Sequence, residues 1–160
     1  MNPFEVSSAL KNLTLIVDTR EQDTDRLRRR IRQTGLSFVR QKLDFGDYSA
    51  KTTLDNGTEF DISGSVSIER KMNLDELCAC YCKGRKRFTR EFERAKLAGA
   101  KVYLLIENAN WEKAYNGSYR SKMSPQALTA SLFAWLARYN CQIIFCKEET
   151  SGKIIREILY

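Results

Sequence analysis

The sequence of 160 residues contains no histidine and only two prolines, and its five cysteines are an odd number. An odd number excludes a framework in which every cysteine forms a disulfide bond, and a reducing compartment is the simpler assumption. Cys78, Cys80 and Cys82 lack the paired spacing of a zinc or iron–sulfur site, and there is no histidine to complete a mixed site. We therefore expect ordinary small buried thiols rather than a structural metal site.

Long apolar runs and secretion signals are also missing. No stretch is long or apolar enough to cross a bilayer, and residues 1–10 contain Glu5 and lack the basic start of a signal peptide. We therefore expect a cytoplasmic protein. There is no repeat, low-complexity tract or linker rich in proline and glycine, which predicts one domain over residues 1–160 with a core from about 13 to about 159.

Positive charge is what the sequence has in excess. Its 27 Lys and Arg against 20 Asp and Glu give a net charge of +7. A basic surface displaces counterions from nucleic-acid backbones, so this balance favours a polyanionic partner, although a merely soluble cationic protein is the alternative. The hydrophobic content of 42% predicts a folded globule in either case.

Hydrophobic patterns predict alternating strands and helices. Three continuous apolar runs predict buried strands at 13–18, 101–107 and 141–146. The stretch 37–71 predicts a meander of short strands with a tight turn at Asp55-Asn56-Gly57. Further helices are predicted after Thr24, Asn73 and Ser124, around Phe88 and Phe92, and from Ser151 onward. Together these elements predict an α/β fold, with a central mixed sheet and helices on both faces.

Three residues have the spacing of a metal-dependent nuclease site. Side chains alternate along a strand, so Glu69 and Lys71 share one face while Arg70 points away. Asp47, at the start of a neighbouring strand, can bring its carboxylate beside Glu69. Two close carboxylates favour a divalent cation, and an oxygen-only site suits Mg²⁺. A solvated strand edge with ordinary ion pairs is the alternative, because such short patterns recur by accident.

The wider arrangement of motifs resembles the XPF/Hef family of structure-specific endonucleases. The family signature is Gly-Asp, a variable gap and Glu-Arg-Lys-x-x-x-Asp, and its fixed letters are matched by Gly46, Asp47, Glu69, Arg70, Lys71 and Asp75. An upstream Asp-x-Arg-Glu element is matched by Asp18, Arg20 and Glu21. Downstream, Arg87-Phe88 and the strand that ends in Glu107 also match, whereas Glu91 stands where relatives more often have Gln. The resemblance covers roughly residues 13–146.

The resemblance implies a restriction-endonuclease-like fold of the PD-(D/E)xK type, with a central mixed sheet between two helical layers. The implied cation is Mg²⁺ or Mn²⁺, and its implied ligands are Asp47, Glu69, Asp18 and the backbone carbonyl of Arg70. The implied catalytic residues are Asp47, Glu69, Lys71, Asp18 and Glu21. Gly46 and Asp75 are expected to be structural, since Asp75 lies in the first turn of a helix, where the helix dipole favours negative charge.

A basic run lies at the start of the helix that contains Phe88. A solvated face is the default for such a run, but positive charge at a helix N-terminus is unfavourable, so a phosphate ligand is a reasonable motive. The expected DNA contacts are Arg20, Arg70, Arg85, Lys86, Arg87 and Arg90. The aromatic and basic residues between Trp111 and Lys122 suit stacking on unpaired bases, and they suit packing on the domain or on a partner subunit equally well.

The predicted function is metal-dependent hydrolysis of DNA phosphodiester bonds in branched, flap or fork substrates, by direct attack of water. The helix-hairpin-helix and helicase domains that accompany relatives do not occur in these 160 residues. A stand-alone domain suits a phage or bacterial recombination or repair nuclease that acts as a homodimer. A junction resolvase or restriction-type nuclease on the same fold, and a non-catalytic DNA-binding subunit, are the alternatives.

Overall fold

A mixed β-sheet of seven strands organises residues 2–160, the part of the chain that the computed structural model describes. The strands are β1 (Thr14–Val17), β2 (Ser37–Arg40), β3 (Tyr48–Thr53), β4 (Glu59–Asp61), β5 (Val66–Lys71), β6 (Lys101–Glu107) and β7 (Cys141–Cys146). The helices are α1 (Pro3–Lys11), α2 (Asp25–Thr34), α3 (Leu74–Tyr81), α4 (Arg85–Leu97), α5 (Trp111–Asn116), α6 (Pro125–Arg138) and α7 (Glu148–Leu159).

The strand order is β2-β1-β3-β5-β6-β7, with β4 paired to β3. Strands β5, β6 and β7 are parallel, while β3 is antiparallel to both β1 and β5. This arrangement confirms the predicted mixed sheet. The predicted meander is wrong at β2, however, which pairs in parallel with β1. The reason is that the chain returns through α2, and a crossover helix brings the next strand back in the same direction.

Two hydrophobic cores lie on opposite faces of the sheet because side chains alternate along β6. Leu104 and Ile106 join the core beneath α3, α4 and α6, whereas Leu105 joins the core beneath α2 and α7. Trp135 of α6 is buried in the first core, and Ile155 of α7 is buried in the second. Helices therefore cover both faces, as predicted. Within residues 2–160, no helix is both long and apolar enough to cross a membrane.

The predicted helix ends are largely present. Thr24 accepts a hydrogen bond from the Leu27 amide at the start of α2, and Gly35 ends that helix with a left-handed backbone. Asn73 caps α3 by accepting from the Glu76 amide. The Glu76 carboxylate, however, accepts from the Met72 amide at 2.7 Å, not from Asn73 as a reciprocal capping box requires.

Several features differ from the sequence-based expectation. Helices α1 and α5 were not predicted, and α7 begins three residues before Ser151. Arg30 is a charged residue of α2, yet it is only 4% exposed. Its position is explained by helical spacing, because Arg30 lies three residues after Leu27 and therefore faces the same core.

Gly152 allows α7 to pack closely on α2. A Cβ atom at this position would lie 2.3 Å from the Arg30 carbonyl oxygen and 2.4 Å from the Gln33 Cβ. The Gly152 amide donates to the Gln33 side-chain oxygen at 3.0 Å. Glycine is otherwise a poor helix former, costing about 1 kcal/mol relative to alanine, so the close approach of the two helices accounts for its presence in α7.

We predict that Gly152→Ala lowers the free energy of unfolding by roughly 1–3 kcal/mol, because the steric cost of overpacking exceeds the gain in helix propensity. Urea denaturation followed by circular dichroism measures the change. Gly64→Ala is the matched control, since a Cβ at Gly64 meets no atom within 4 Å among residues 2–160. A Gly152→Ala protein as stable as the wild type would contradict the assigned packing.

Candidate active site

A pocket of about 460 Å³ opens where β1 and β5 end and β3 begins. Six acidic side chains line it: Asp18, Glu21, Asp47, Glu69, Glu76 and Glu91. Four basic side chains also line it: Arg20, Lys71, Lys83 and Arg87. We call it the acidic pocket after these six carboxylates. They come from separate strands and helices that meet at one edge of the sheet.

Backbone hydrogen bonds bring Asp47 beside β5. The Asp47 amide donates to the Ile68 carbonyl oxygen at 2.7 Å, and the Asp18 amide donates to the Asp47 carbonyl oxygen at 2.9 Å. The Asp47 carboxylate accepts from the Arg70 amide at 2.8 Å through Oδ2. These bonds connect the ends of β1 and β5 through the residue that precedes β3, and they place the carboxylate next to Glu69.

Gly46 is required by this turn. Its φ of +81° is a left-handed conformation, and a Cβ there would lie 1.7 Å from the Ser67 hydroxyl oxygen. The Gly46 amide donates to Oε1 of Glu91 at 2.7 Å, which ties helix α4 to the turn before Asp47. Any side chain at Gly46 would displace β5, so the glycine is a condition for the position of Asp47.

Glu69 and Lys71 lie on one face of β5 and contact each other. Lys71 Nζ donates to Glu69 Oε1 at 2.8 Å. Lys71 is 7% exposed and Glu69 is 4% exposed. Glu69 Oε2 is buried and has no hydrogen-bond partner among residues 2–160. A buried carboxylate oxygen without a partner is costly, and it points to a ligand that this atom would bind.

Negative charge in the acidic pocket is electrostatically unfavourable. Burial raises the pKa of Asp47 well above its ordinary value, and the charges of Glu69 and Glu21 raise it further. Burial also raises the pKa of Glu69 to about 7, although Lys71 opposes this shift, and Glu91 adds to it. A cation bound between the carboxylates would relieve this repulsion.

The donor set suits a hard divalent cation. Asp47 and Glu69 offer carboxylate oxygens, which Mg²⁺ and Mn²⁺ prefer, and Glu69 Oε2 is available. Among residues 2–160, no three His, Cys, Asp or Glu side chains are arranged to hold a metal ion by themselves. The pocket residues therefore fit a cation that takes two carboxylates and completes its ligands with water and substrate oxygens.

The side chain of Arg70 lies on the opposite face of the sheet. Its Nε and Nη2 donate to Glu107 at 2.7 and 2.8 Å, and Ser151 donates to the same carboxylate at 2.7 Å. Arg30 Nε lies 3.4 Å from Glu107. Burial alone would raise the pKa of Glu107, but these partners hold that pKa below its ordinary value. Arg70 was expected to contact DNA, but its guanidinium is committed to this buried ion pair.

Asp18 holds Arg20 at the rim of the acidic pocket. Its Oδ2 accepts from Arg20 Nε at 2.6 Å, and its Oδ1 accepts from the Leu43 amide at 2.8 Å. Arg20 also donates to the Leu43 carbonyl oxygen at 3.1 Å. Both oxygens of Asp18 are thus engaged by the protein, whereas Glu21 lies close enough to Asp47 to raise its pKa.

The predicted basic run divides around α4. Arg87 and Lys83, both members of the predicted run, line the acidic pocket. The other residues of the run lie outside the acidic pocket, in an exposed patch that Lys83 also borders, namely Arg85, Lys86 and Arg90. Helical spacing explains why Arg87 faces the pocket and its basic neighbours on α4 do not, whereas Lys83 precedes the helix.

Glu91 is a pocket residue for which reasoning from the sequence predicted no functional role. The available signal was its spacing, since Glu91 follows Arg87 by one helical turn and therefore shares its face. What could not be read from the spacing was the hydrogen bond to Gly46, which depends on how α4 packs against the turn before β3.

Asp75 and the aromatic segment lie outside the acidic pocket. The Asp75 carboxylate accepts from the amides of Arg120 and Ser121, both at 2.8 Å, so it holds the loop that follows α5. Trp111 stacks on Phe133 with ring centroids 5.2 Å apart. Packing on the domain itself is therefore what the structure shows for Trp111, whereas Tyr115 is exposed.

Comparison with known proteins identifies the family of this chain. A family model, the ERCC4 domain, matches residues 17–158, which is most of the chain. No curated protein matches the sequence. The match agrees with the seven-stranded mixed sheet between helices, which is consistent with a restriction-endonuclease-like domain. It also confirms the resemblance noted from the motifs at Gly46-Asp47 and 69–71. The chain therefore belongs to the ERCC4 domain family, the family of XPF-type structure-specific DNA nucleases.

Proposed function

We propose that this chain is a metal-dependent endonuclease that hydrolyses phosphodiester bonds in branched, flap or fork DNA, in recombination or repair. The observation that carries this proposal is the meeting of Asp47, Glu69 and Lys71 in one pocket of a chain from a nuclease family. The net charge of +7 supports DNA as the partner.

We assign the cation site to Asp47 and Glu69, with the backbone carbonyl of Arg70 as a further ligand. Nucleases of this family generally depend on a divalent metal. When bound, Mg²⁺ or Mn²⁺ supplies positive charge at the scissile phosphate and acidifies water for attack. The Arg70 amide and Lys71 would meanwhile keep the two carboxylates in place through their hydrogen bonds.

Lys71 acts as a fixed cation in this proposal. Although burial alone would lower it, the carboxylates of Glu69 and Asp47 raise the pKa of Lys71, so the amine stays protonated at neutral pH. A protonated amine cannot accept a proton from water. Its role is therefore to donate hydrogen bonds to a phosphate oxygen or to the attacking water, and to stabilise the negative charge of the transition state.

Arg20, Lys83 and Arg87 would contact the phosphates that flank the scissile bond. Asp18 holds Arg20 in place, so we assign Asp18 to positioning rather than to metal binding. Arg87 lies in the first turn of α4, a helix of 13 residues that begins after Gly84. The amides of such a helix end favour an anion and, together with the basic side chains, suit a phosphate group.

We predict that Asp47→Ala lowers the rate of DNA nicking in Mg²⁺ at least roughly a thousandfold, because several kcal/mol of charge stabilisation by the cation are lost. Lys71→Ala should lower it roughly a hundred- to a thousandfold, as for the loss of one preorganised donor. Single-turnover cleavage of a labelled flap, with and without Mg²⁺, measures both. Asp44→Asn is the control, since Asp44 is exposed and lies outside the acidic pocket. Wild-type activity that survives both pocket substitutions would end the assignment.

We predict that Arg87→Ala weakens DNA binding and lowers the slope of log affinity against log salt concentration by about 1, because one phosphate contact is lost. Fluorescence anisotropy in Ca²⁺ or EDTA, where cleavage does not interfere, measures the slope. Arg138→Ala removes the same charge from the exposed end of α6 and should leave the slope unchanged. Equal effects of the two substitutions would contradict a specific contact at Arg87.

The preferred DNA structure distinguishes the proposal from its alternatives. We expect cleavage of forks and flaps near the boundary of single- and double-stranded DNA. Preferential cleavage of four-way junctions would indicate a resolvase, and cleavage of linear duplex would indicate a restriction-type nuclease. Binding without cleavage of any of these substrates would indicate a non-catalytic subunit.

A further inference from the structure

Glu91 is a charged residue of the acidic pocket for which the proposed reaction has no role. It lies on α4, and its Oε1 accepts from the Gly46 amide at 2.7 Å. Gly46 immediately precedes Asp47, so this bond holds the Glu91 carboxylate beside the proposed cation ligands. The bond uses one of the two carboxylate oxygens.

Glu91 lies among both opposite and like charges, since Arg20 and Arg87 line the same pocket as the acids Asp47 and Glu69. Lys71 donates to Glu69 at 2.8 Å, and the Arg70 amide donates to Asp47. Glu69 Oε2 is buried and accepts no hydrogen bond within residues 2–160, and an ionised carboxylate has no proton to donate to it. The charge of Glu91 also contributes to the raised pKa of Glu69. Glu69 and Glu91 therefore repel each other in the protein without a cation.

We propose that the charge of Glu91 tightens divalent-cation binding in the acidic pocket, and that it does so at the expense of stability when no cation is bound. This inference rests on the cation site of the proposed function and deepens it. Since no three acidic side chains of residues 2–160 are arranged as direct ligands of one ion, Glu91 is assigned to act through its charge and through water rather than by bonding the cation.

A purely structural role for Glu91 predicts that removing its charge leaves cation binding unchanged. If Glu91 served only to accept the Gly46 hydrogen bond, the charge would not matter. Glu91→Gln separates the two roles, because the amide keeps an oxygen that can accept from Gly46 but carries no charge. Its NH₂ group can also donate to the partnerless oxygen of Glu69, which the native carboxylate cannot do.

The experiment compares wild type, Glu91→Gln and Glu93→Gln at pH 8. Glu93 lies on the same helix, outside the acidic pocket, and accepts from the Tyr139 hydroxyl at 2.8 Å. Thermal unfolding is followed in EDTA and in a Mn²⁺ series, and isothermal titration calorimetry with Mn²⁺ alone gives the dissociation constant. Neither measurement requires DNA or activity.

We expect Glu91→Gln to unfold at a higher temperature than wild type in EDTA, and to bind Mn²⁺ roughly tenfold more weakly. A tenfold change is what one charge exerts on a divalent ion across several ångströms of water-like dielectric. Mn²⁺ should therefore raise the unfolding temperature of Glu91→Gln by less than it raises that of the wild type. Glu93→Gln should match the wild type in the dissociation constant.

Two results would overturn parts of this picture in different ways. If wild type and Glu91→Gln bind Mn²⁺ with equal dissociation constants, Glu91 is only an acceptor for Gly46, and the proposed function is unaffected. If the wild type binds no Mn²⁺ or Mg²⁺, the cation site itself fails, and with it both the metal-dependent reaction and this inference. Glu91→Ala, which removes the acceptor as well, should be less stable than Glu91→Gln in EDTA.

Discussion

Asp47 is held between two strands by its own backbone, and the chemistry of the acidic pocket depends on this restraint. Its amide is bonded to Ile68 at 2.7 Å and its carbonyl to the Asp18 amide at 2.9 Å. These bonds fix the backbone of Asp47 beside β5, and the Arg70 amide holds its carboxylate, so the carboxylates of Asp47 and Glu69 stay close despite their repulsion. The electrostatic cost is retained in the folded state, and the proposed divalent cation would remove it.

The repelling carboxylate of Glu69 and the ion pair that supports β5 lie on opposite faces of the strand. Glu69 and Lys71 face the acidic pocket, whereas Arg70 between them reaches the buried Glu107 on the other face. A buried ion pair is weak support for stability by itself, because desolvation offsets much of the attraction. Its geometry nevertheless connects β5 to β6, and Ser151 and Arg30 extend the connection to α7 and α2. The strand that presents Glu69 is thereby held in place by contacts on its other face.

Much of the fold could be predicted because strong local patterns define its central elements. The predicted boundaries of β6 and β7 agree with the structure at both ends. Tertiary packing decided the rest. Arg30 has the spacing of a core residue but the charge of a surface residue. Its burial depends on two partners far along the chain, Glu107 and the Tyr48 hydroxyl, to which Arg30 donates at 2.8 Å. The parallel pairing of β2 depended likewise on the path of α2, which no short pattern in 37–40 encodes.

For the site, the sequence by itself determined which chemical groups could share a face, because alternation along a strand is a local property. It therefore placed Glu69 with Lys71 and separated both from Arg70. Only the tertiary structure decided which atoms remain available. The protein engages both oxygens of Asp18, and helix packing brings Glu91 to the pocket through Gly46. Hydrogen bonds between distant segments depend on how helices and strands pack, and spacing along the chain does not specify that packing.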